Sequence, residues 1–399
     1  MVAELTGGSN AVLRRMNLRL VLGAVREHGP LSRSDLRRQT GLSRPTLDEV
    51  LAQLLAMQLL AERPATDEEM ASRRPGPRPR YLAFNADRGR LIGVDIGAEK
   101  VIVIATDLDG RAVGTFRSHV SGMDREVLLS EVRKLMAEAA TICQEGGKAV
   151  RAVVVGTPGV IDRSTGSVSL APQIPGWEGV VLERELLRDY DCPSTVENEM
   201  HLAVLGERWL GAAKGCDNVV YIGLGIGVSA GVIVDGTLLR GAFGRAGEIG
   251  YLDFGPPDGA AGIGSSGRFE RAVGATAFMA EVPGARENSP EEVFRSAAAG
   301  DVSAQLVIDR AAATLAQGVA ALALALDPAL IVLGGGLSAT GEALRSPVSQ
   351  RLKRLLPVTP PLLKVSTLGE RATVFGAIHR ARELCNELIY EELLSGRLS

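Results

Sequence analysis

Long apolar runs are missing from this chain. No stretch of about 18 apolar residues stands out, the length a membrane-crossing helix needs, so no membrane span is expected. The N-terminus has no basic segment followed by an apolar stretch, so no secretion signal is expected either. Cysteine is scarce: Cys143, Cys192, Cys216 and Cys385 lie far apart and form no CxxC pair. That spacing argues against a zinc ribbon or a disulfide framework and fits a reducing cytoplasm. Aromatic residues make up only 4% of the chain, so its cores must be built from Leu, Val and Ala. No low-complexity segment occurs beyond local alanine enrichment.

What is present is ample apolar content, 46% over 399 residues, enough for two or three domains. The 47 glycines cluster in short motifs. Net charge is −3, unevenly spread: residues 1–88 hold 14 Arg against 10 Asp and Glu, or +4, leaving 30 cations and 37 anions, or −7, beyond. A basic head on an acidic body marks where a polyanion would bind, though +4 is modest and charge alone decides nothing.

The head carries a sharper signal. The spacing of Leu18, Val21, Leu22 and Val25 predicts a helix over Asn17–Glu27, with residues 1–10 a loose tail. Gly29-Pro30 ends it. Ser32 is placed to cap a helix over Ser34–Thr40, with Asp35 favouring its dipole. Gly41 closes that helix, because glycine enters the left-handed turn at little cost. Ser43 caps the next helix and Pro45 occupies its first turn, where no amide donor is required. Leu47, Val50, Leu51, Leu54 and Leu55 face inward, leaving Arg44, Thr46, Asp48, Glu49 and Gln53 outward. This is the layout of a helix-turn-helix whose second helix enters a major groove. Arg33, Ser43, Arg44, Pro45, Thr46, Asp48 and Glu49 are its candidate DNA-contacting residues. Arg44 suits guanine and the two acids a cytosine amine, or else the acids stay solvated.

Residues 61–72 read as a polar hairpin or loop. In the stretch 73–84, Arg73, Arg74, Arg78 and Arg80 alternate with three prolines and a glycine. Such a strip cannot be helical and suits arginine insertion into a minor groove, or serves as an interdomain linker. From Leu91 the pattern becomes α/β. Two strand-like runs flank Asp95–Lys100, a helix is expected near Glu126–Gln144, and strand Val150–Val155 leads into a Thr-Pro-Gly loop. A second unit starts near Val219. A long helix, Ala304–Leu326, precedes strand Ala329–Leu333 and Gly334-Gly335-Gly336.

A helix-turn-helix, then Asp95-Ile96-Gly97, Thr157-Pro158-Gly159, Glu197-Asn198-Glu199, Gly247-Glu248-Ile249-Gly250 and the triple glycine, in this order, resembles the ROK family (repressors, open reading frames and kinases). The resemblance spans roughly residues 15–385. It implies an α/β body of two actin-like ATPase, sugar-kinase-like lobes behind a small, mainly α-helical winged helix-turn-helix domain. The expected domains are 1–88 and 89–399. The lobes are expected over roughly 89–200 plus the C-terminal helix, and over 201–375. A sugar site is implied in the cleft between them.

The kinase parts of that family are altered here. The first phosphate loop resembles DIGGTK but has Glu99 at the threonine position, and a carboxylate near phosphates costs on the order of a few kcal/mol in a partly desolvated cleft. The second loop reads Gly225-Ile226-Gly227-Val228-Ser229, with Ile226 in place of a threonine hydroxyl. Glu199 stands where kinases carry the aspartate that takes the sugar's proton, one methylene longer. The four positions of the family's structural zinc hold Tyr251, Ala261, Ile263 and Arg268, so no zinc of that type and no other cofactor is expected. Gly159, Asn198, Glu199, Glu248, Tyr251 and Glu270 are the candidate sugar-binding residues, and Trp177 is placed to pack on the pocket rim.

These readings point to a cytoplasmic DNA-binding regulator, by family habit a repressor of carbohydrate-utilisation genes. A sugar or sugar-phosphate would tune its DNA affinity, and a homodimer or homotetramer would present two heads to a two-fold operator. Two alternatives stay open: a constitutive DNA binder whose body only oligomerises, and an ATP-dependent sugar kinase.

Overall fold

In this computed structural model, the structure describes residues 9–66, 80–254, 267–279 and 290–395. The described residues open with helix α1 (Ser9–His28), so helix replaces the last part of the expected tail. Strand β1 (Leu31–Ser32) and helices α2 (Arg33–Thr40) and α3 (Arg44–Ala56) follow. Strands β2 (Leu60–Pro64) and β3 (Arg80–Phe84) complete a small antiparallel sheet of order β1-β3-β2. The expected caps form: Ser32 accepts from the Asp35 amide, Ser43 accepts from the Thr46 amide, and Gly41 sits at φ 68°. Leu36, Leu47, Leu51 and Leu54 pack with Leu22 beneath them.

The body repeats one topology twice. Its first half holds β4 (Arg90–Ile96), β5 (Lys100–Thr106), β6 (Ala112–His119), α4 (Arg125–Glu145), β7 (Val150–Thr157), the short pair β8 (Val160–Ile161) and β9 (Val168–Ser169), and β10 (Ser194–Asn198). The sheet order is β10-β7-β4-β5-β6, with β4–β5–β6 an antiparallel meander and β7 and β10 parallel to β4. Helix α5 (Glu199–Leu210) crosses to the second half.

That half holds β11 (Val219–Leu224), β12 (Val228–Val234) and β13 (Thr237–Leu238). Helices α6 (Arg268–Val273), α7 (Ala275–Met279), α8 (Pro290–Ala298) and α9 (Val302–Leu326) come next. Strand β14 (Leu330–Gly334), α10 (Glu342–Leu355) and β15 (Leu362–Val365) complete it, and α11 (Ala372–Ser395) returns to the first half, packing against β4 and β7. The order β13-β12-β11-β14-β15 again sets a meander beside two parallel strands. By length and composition α9 could cross a membrane, so the long helix expected over Ala304–Leu326 is also an apolar run of the length the sequence reading does not expect. Ala304, Val307, Ala311, Leu315 and Val319 are instead buried in the second half's core, so α9 is a core helix.

Helices α5 and α11 lie against each other between the two sheets. Their backbones nearly touch: a Cβ on Gly376 would stand 1.7 Å from the Leu202 carbonyl oxygen, and one on Gly206 2.2 Å from that of Ala372. Only glycine permits that approach. At its far end α11 meets the head. Ile389 and Leu393 share one apolar core with Leu18, Leu22 and Val25 of α1.

Candidate functional sites

The exposed face of the head is tied together by ion pairs. Arg33 reaches Asp48 at 2.7 Å and Glu62 at 2.9 Å, and Arg80 reaches Glu62 at 2.8 Å. The hydrogen bond from Arg33 holds the Glu62 carboxyl below its usual range. The Ser43 and Thr46 hydroxyls lie 2.8 Å apart, and the Arg14 guanidinium donates to Gln53 at 2.9 Å. Of the candidate DNA contacts, Arg33, Asp48 and Arg80 thus hold the head's own elements in register. Arg44 remains 80% exposed, 3.8 Å from Asp48, and Pro45 and Glu49 are exposed beside it. Arg73, Arg74 and Arg78 lie outside the described residues.

The second site is a cleft of about 750 Å³. It opens where strands of both sheets end: β4 brings Asp95, β7 brings Pro158 and Gly159, β10 hands over to Asn198 and Glu199, and the β11–β12 turn supplies Gly225–Ser229. Crevices at the carboxyl ends of parallel strands are where α/β folds take ligands. All six candidate sugar-binding residues, Gly159, Asn198, Glu199, Glu248, Tyr251 and Glu270, line it.

Their roles differ. The Asn198 side chain is spent inside the protein: its oxygen accepts from the Met200 and His201 amides at 2.8 and 3.2 Å, capping α5, and its nitrogen donates to the Gly159 carbonyl at 2.8 Å. Glu270 accepts from the Val228 amide at 3.0 Å, fixing the β11–β12 turn. The carboxyl groups of Asp95, Glu199 and Glu248 have no hydrogen-bond partner among the described residues. Burial pushes the Glu199 carboxyl up to about 8, with the charges of Asp95 and Glu248 adding to it. Burial likewise lifts Asp95 to about 7 against the pull of Lys100, and Glu248 to about 7 against the pull of His201. Three cleft carboxyl groups are thus satisfied by no donor among the described residues.

Several residues around the cleft were not singled out by sequence reasoning. Glu207, fully buried on α5, accepts from the Leu368 amide at 3.2 Å and from the Ser366 hydroxyl, and so positions a loop that lines the cleft. Glu197 bridges His201 at 2.9 Å and Arg240 at 2.6 Å; burial opposes its ionisation, but these partners keep it below the ordinary range. Gln173, which sequence reasoning did single out as standing at the asparagine of a family APNxPGW-like segment, lines the cleft, and its Oε1 is buried without a partner among the described residues. Trp177 corrects an expectation. It is fully buried, not on the rim, because its indole nitrogen donates to the Thr157 hydroxyl at 2.8 Å within the first sheet's core. Of the zinc positions, Tyr251 lines the cleft and Arg268 meets Asp253 at 3.2 Å, while Ala261 and Ile263 lie outside the described residues. At the kinase positions, Glu99 is exposed at the cleft and Ile226 is 45% exposed there.

Head and cleft are joined by α11. Thr373 at its start lines the cleft. Farther along, Asn386 accepts from Arg26 of α1 at 2.7 Å, and the Arg19 guanidinium lies 5.0 Å from the Tyr390 ring. The Arg26 side chain is 7% exposed. It also reaches Asp109 of the body at 3.1 Å and stacks 3.8 Å over Phe84 of β3.

The sequence model of the ROK family matches residues 91–383. Over 391 residues the chain is 26% identical to the xylose repressor of Caldicellulosiruptor bescii, covering 93% of this chain and 96% of that one. It is 30% identical over 317 residues to the glucokinase of Thermotoga maritima, covering 74% of this chain and 98% of the enzyme. The crystal structure of a ROK family transcriptional regulator, described as a homolog of E. coli MLC protein, superposes with a TM-score of 0.75 at 23% identity, over 97% of this chain and 99% of that one. The repressor likeness thus runs through the head, whereas the glucokinase likeness takes in about three quarters of the chain.

Proposed function

The chain belongs to the ROK family, and on that premise we propose that it is a cytoplasmic, DNA-binding repressor of carbohydrate-utilisation genes. In this reading a sugar or sugar derivative in the cleft sets its affinity for operator DNA, and phosphoryl transfer has been lost. The head, residues 1–88, reads the DNA through Arg44 and its neighbours on α3. The body, residues 89–399, senses the ligand and assembles as a homodimer or homotetramer, presenting two heads to a two-fold operator.

The observation that carries this reading is α11. One helix lines the cleft at Thr373 and grips α1 through Asn386. A ligand can bias DNA binding only through its differential affinity for two arrangements of the body, and a rigid helix with one end at each site is a means of coupling them. Full-length likeness to a xylose repressor supports the regulator reading. Glu99 and Ile226 at the two phosphate loops support the loss of catalysis.

The test is a fluorescence-anisotropy titration onto DNA from upstream of the protein's own gene, at fixed moderate salt. Tight binding that a shuffled competitor cannot displace, weakened by a sugar, is expected. Sequence-blind, strongly salt-sensitive binding would overturn it. A kinase is the second reading, favoured by Asp95 facing the cleft. Sugar-dependent release of ADP from ATP would establish it.

A further inference from the structure

The cleft's charge has one sign. Among its described lining residues, Asp95, Glu199, Glu248 and Glu270 are joined by Glu99, Glu291 and Glu370, against one cation, Lys100. That lysine is already neutralised: its Nζ lies 2.5 Å from Glu370, whose other oxygen is held by Arg117 at 2.7 Å. Asp95 is 7% exposed and borders the cavity, and its carboxyl has no hydrogen-bond partner among the described residues. With its titration lifted to about 7, the Asp95 carboxyl can donate to a ligand hydroxyl as well as accept from one, and the wall's negative charge falls chiefly to Glu99, Glu270, Glu291 and Glu370. The first phosphate loop adds another carboxylate, Glu99, rather than a donor.

We propose that the ligand of this cleft is an unphosphorylated sugar, and that Glu370, by occupying Lys100 and Arg117, is the residue that excludes phosphorylated sugars. The inference rests on the sensing role proposed above and deepens it. The protein reads a sugar before a separate phosphoryl-transfer step consumes it, not the ester that step produces. Three features act together. Unpartnered carboxyl groups satisfy ligand hydroxyls, which must all find partners once desolvated. The other lining acids, Glu99, Glu270 and Glu291, make an added phosphate dianion unfavourable. The pair with Glu370 withholds the one lining lysine that would offset it. Glu370 sits at the entry to α11, immediately before the helix that leads to the head.

The experiment is a thermal-shift and calorimetric panel on the full-length protein. The probes are glucose, mannose, N-acetylglucosamine and ribose, each with its terminal phosphate ester, xylose, and inorganic phosphate alone. The wild type should bind at least one free sugar, with its ester at least tenfold weaker and inorganic phosphate giving no protection. Glu370→Gln frees Lys100 and Arg117. It should narrow the ester-to-sugar ratio of dissociation constants by about tenfold. Glu99→Gln, at an exposed position that pairs with no cation among the described residues, should narrow the ratio less. Operator binding by each variant serves as the check on folding. An ester that binds the wild type more tightly than its free sugar would overturn this inference and leave the sensor reading standing. An unchanged ratio in Glu370→Gln would remove the role given to Glu370. Protection by no sugar and no ester would remove the sensor reading, and this inference with it.

Discussion

Asn198→Ala should destabilise the first half of the body by about 2 kcal/mol. Asn198 is 6% exposed and makes three hydrogen bonds. Its oxygen caps α5, and losing such a cap costs about 1 kcal/mol. Its nitrogen satisfies the part-buried Gly159 carbonyl, and losing that bond costs about 1 kcal/mol more. Asn198→Ser keeps a capping oxygen but cannot be counted on to reach Gly159, so it should recover about 1 kcal/mol of the loss. The assay is urea unfolding followed by tryptophan fluorescence. Both tryptophans report on this region, Trp177 from the first sheet's core and Trp209 from α5 itself. Since a protein of several domains need not unfold in one step, the transition sensed by Trp177 is the one to compare. A loss below about 1 kcal/mol in the alanine variant, or serine as damaging as alanine, would refute the reasoning. Asn198 would then be free to serve a ligand rather than the fold.

The ligand-free protein should lose stability as pH rises from about 5 to 8.5. Glu199, Asp95 and Glu248 have folded-state values raised to about 8, 7 and 7, so the folded form holds protons that the unfolded form has shed. The slope is up to about 1.4 kcal/mol per pH unit per titrating group; a thermal-melt series checks it, and a melting point flat or rising over that window would contradict it. Arg26→Ala should leave head and body folded but loosen their junction, seen as faster proteolysis between them and a smaller effect of sugar on DNA affinity; an unchanged sugar effect would show that the coupling runs elsewhere. Arg44→Ala should weaken operator binding and, if Arg44 meets a phosphate, lower the salt slope by about one unit. Arg33→Ala, which removes exposed ion pairs within the head, should cost about 1 kcal/mol or less of head stability; equal affinity in wild type and the Arg44 variant would take α3 out of the interface.

The head was legible because local chemistry decides it. Serine caps, a left-handed glycine and an apolar stripe have few other uses, and Ser32, Gly41 and Ser43 stand in those roles. The cleft was legible through the order of its glycine turns, which brought all six candidate residues to one cavity. What each residue does there was not legible. Asn198 and Trp177 both fitted a polyhydroxyl site by type, yet long-range pairing turned them inward, towards Gly159 and Thr157. Glu207 and Arg26 gave no signal, because a buried charge looks like a surface charge until the fold shows its partners. The α5–α11 crossing left only Gly206 and Gly376 as traces, which no spacing rule links across 170 residues.

The account rests on cleft and head being thermodynamically coupled, and coupling is reciprocal. The most direct measurement is calorimetric titration of the best-binding sugar into the protein, alone and saturated with operator DNA. Sugar should bind the DNA complex more weakly, by the same factor as that sugar weakens DNA binding, about 5–150-fold for couplings of this kind. Equal sugar affinity with and without DNA would contradict it.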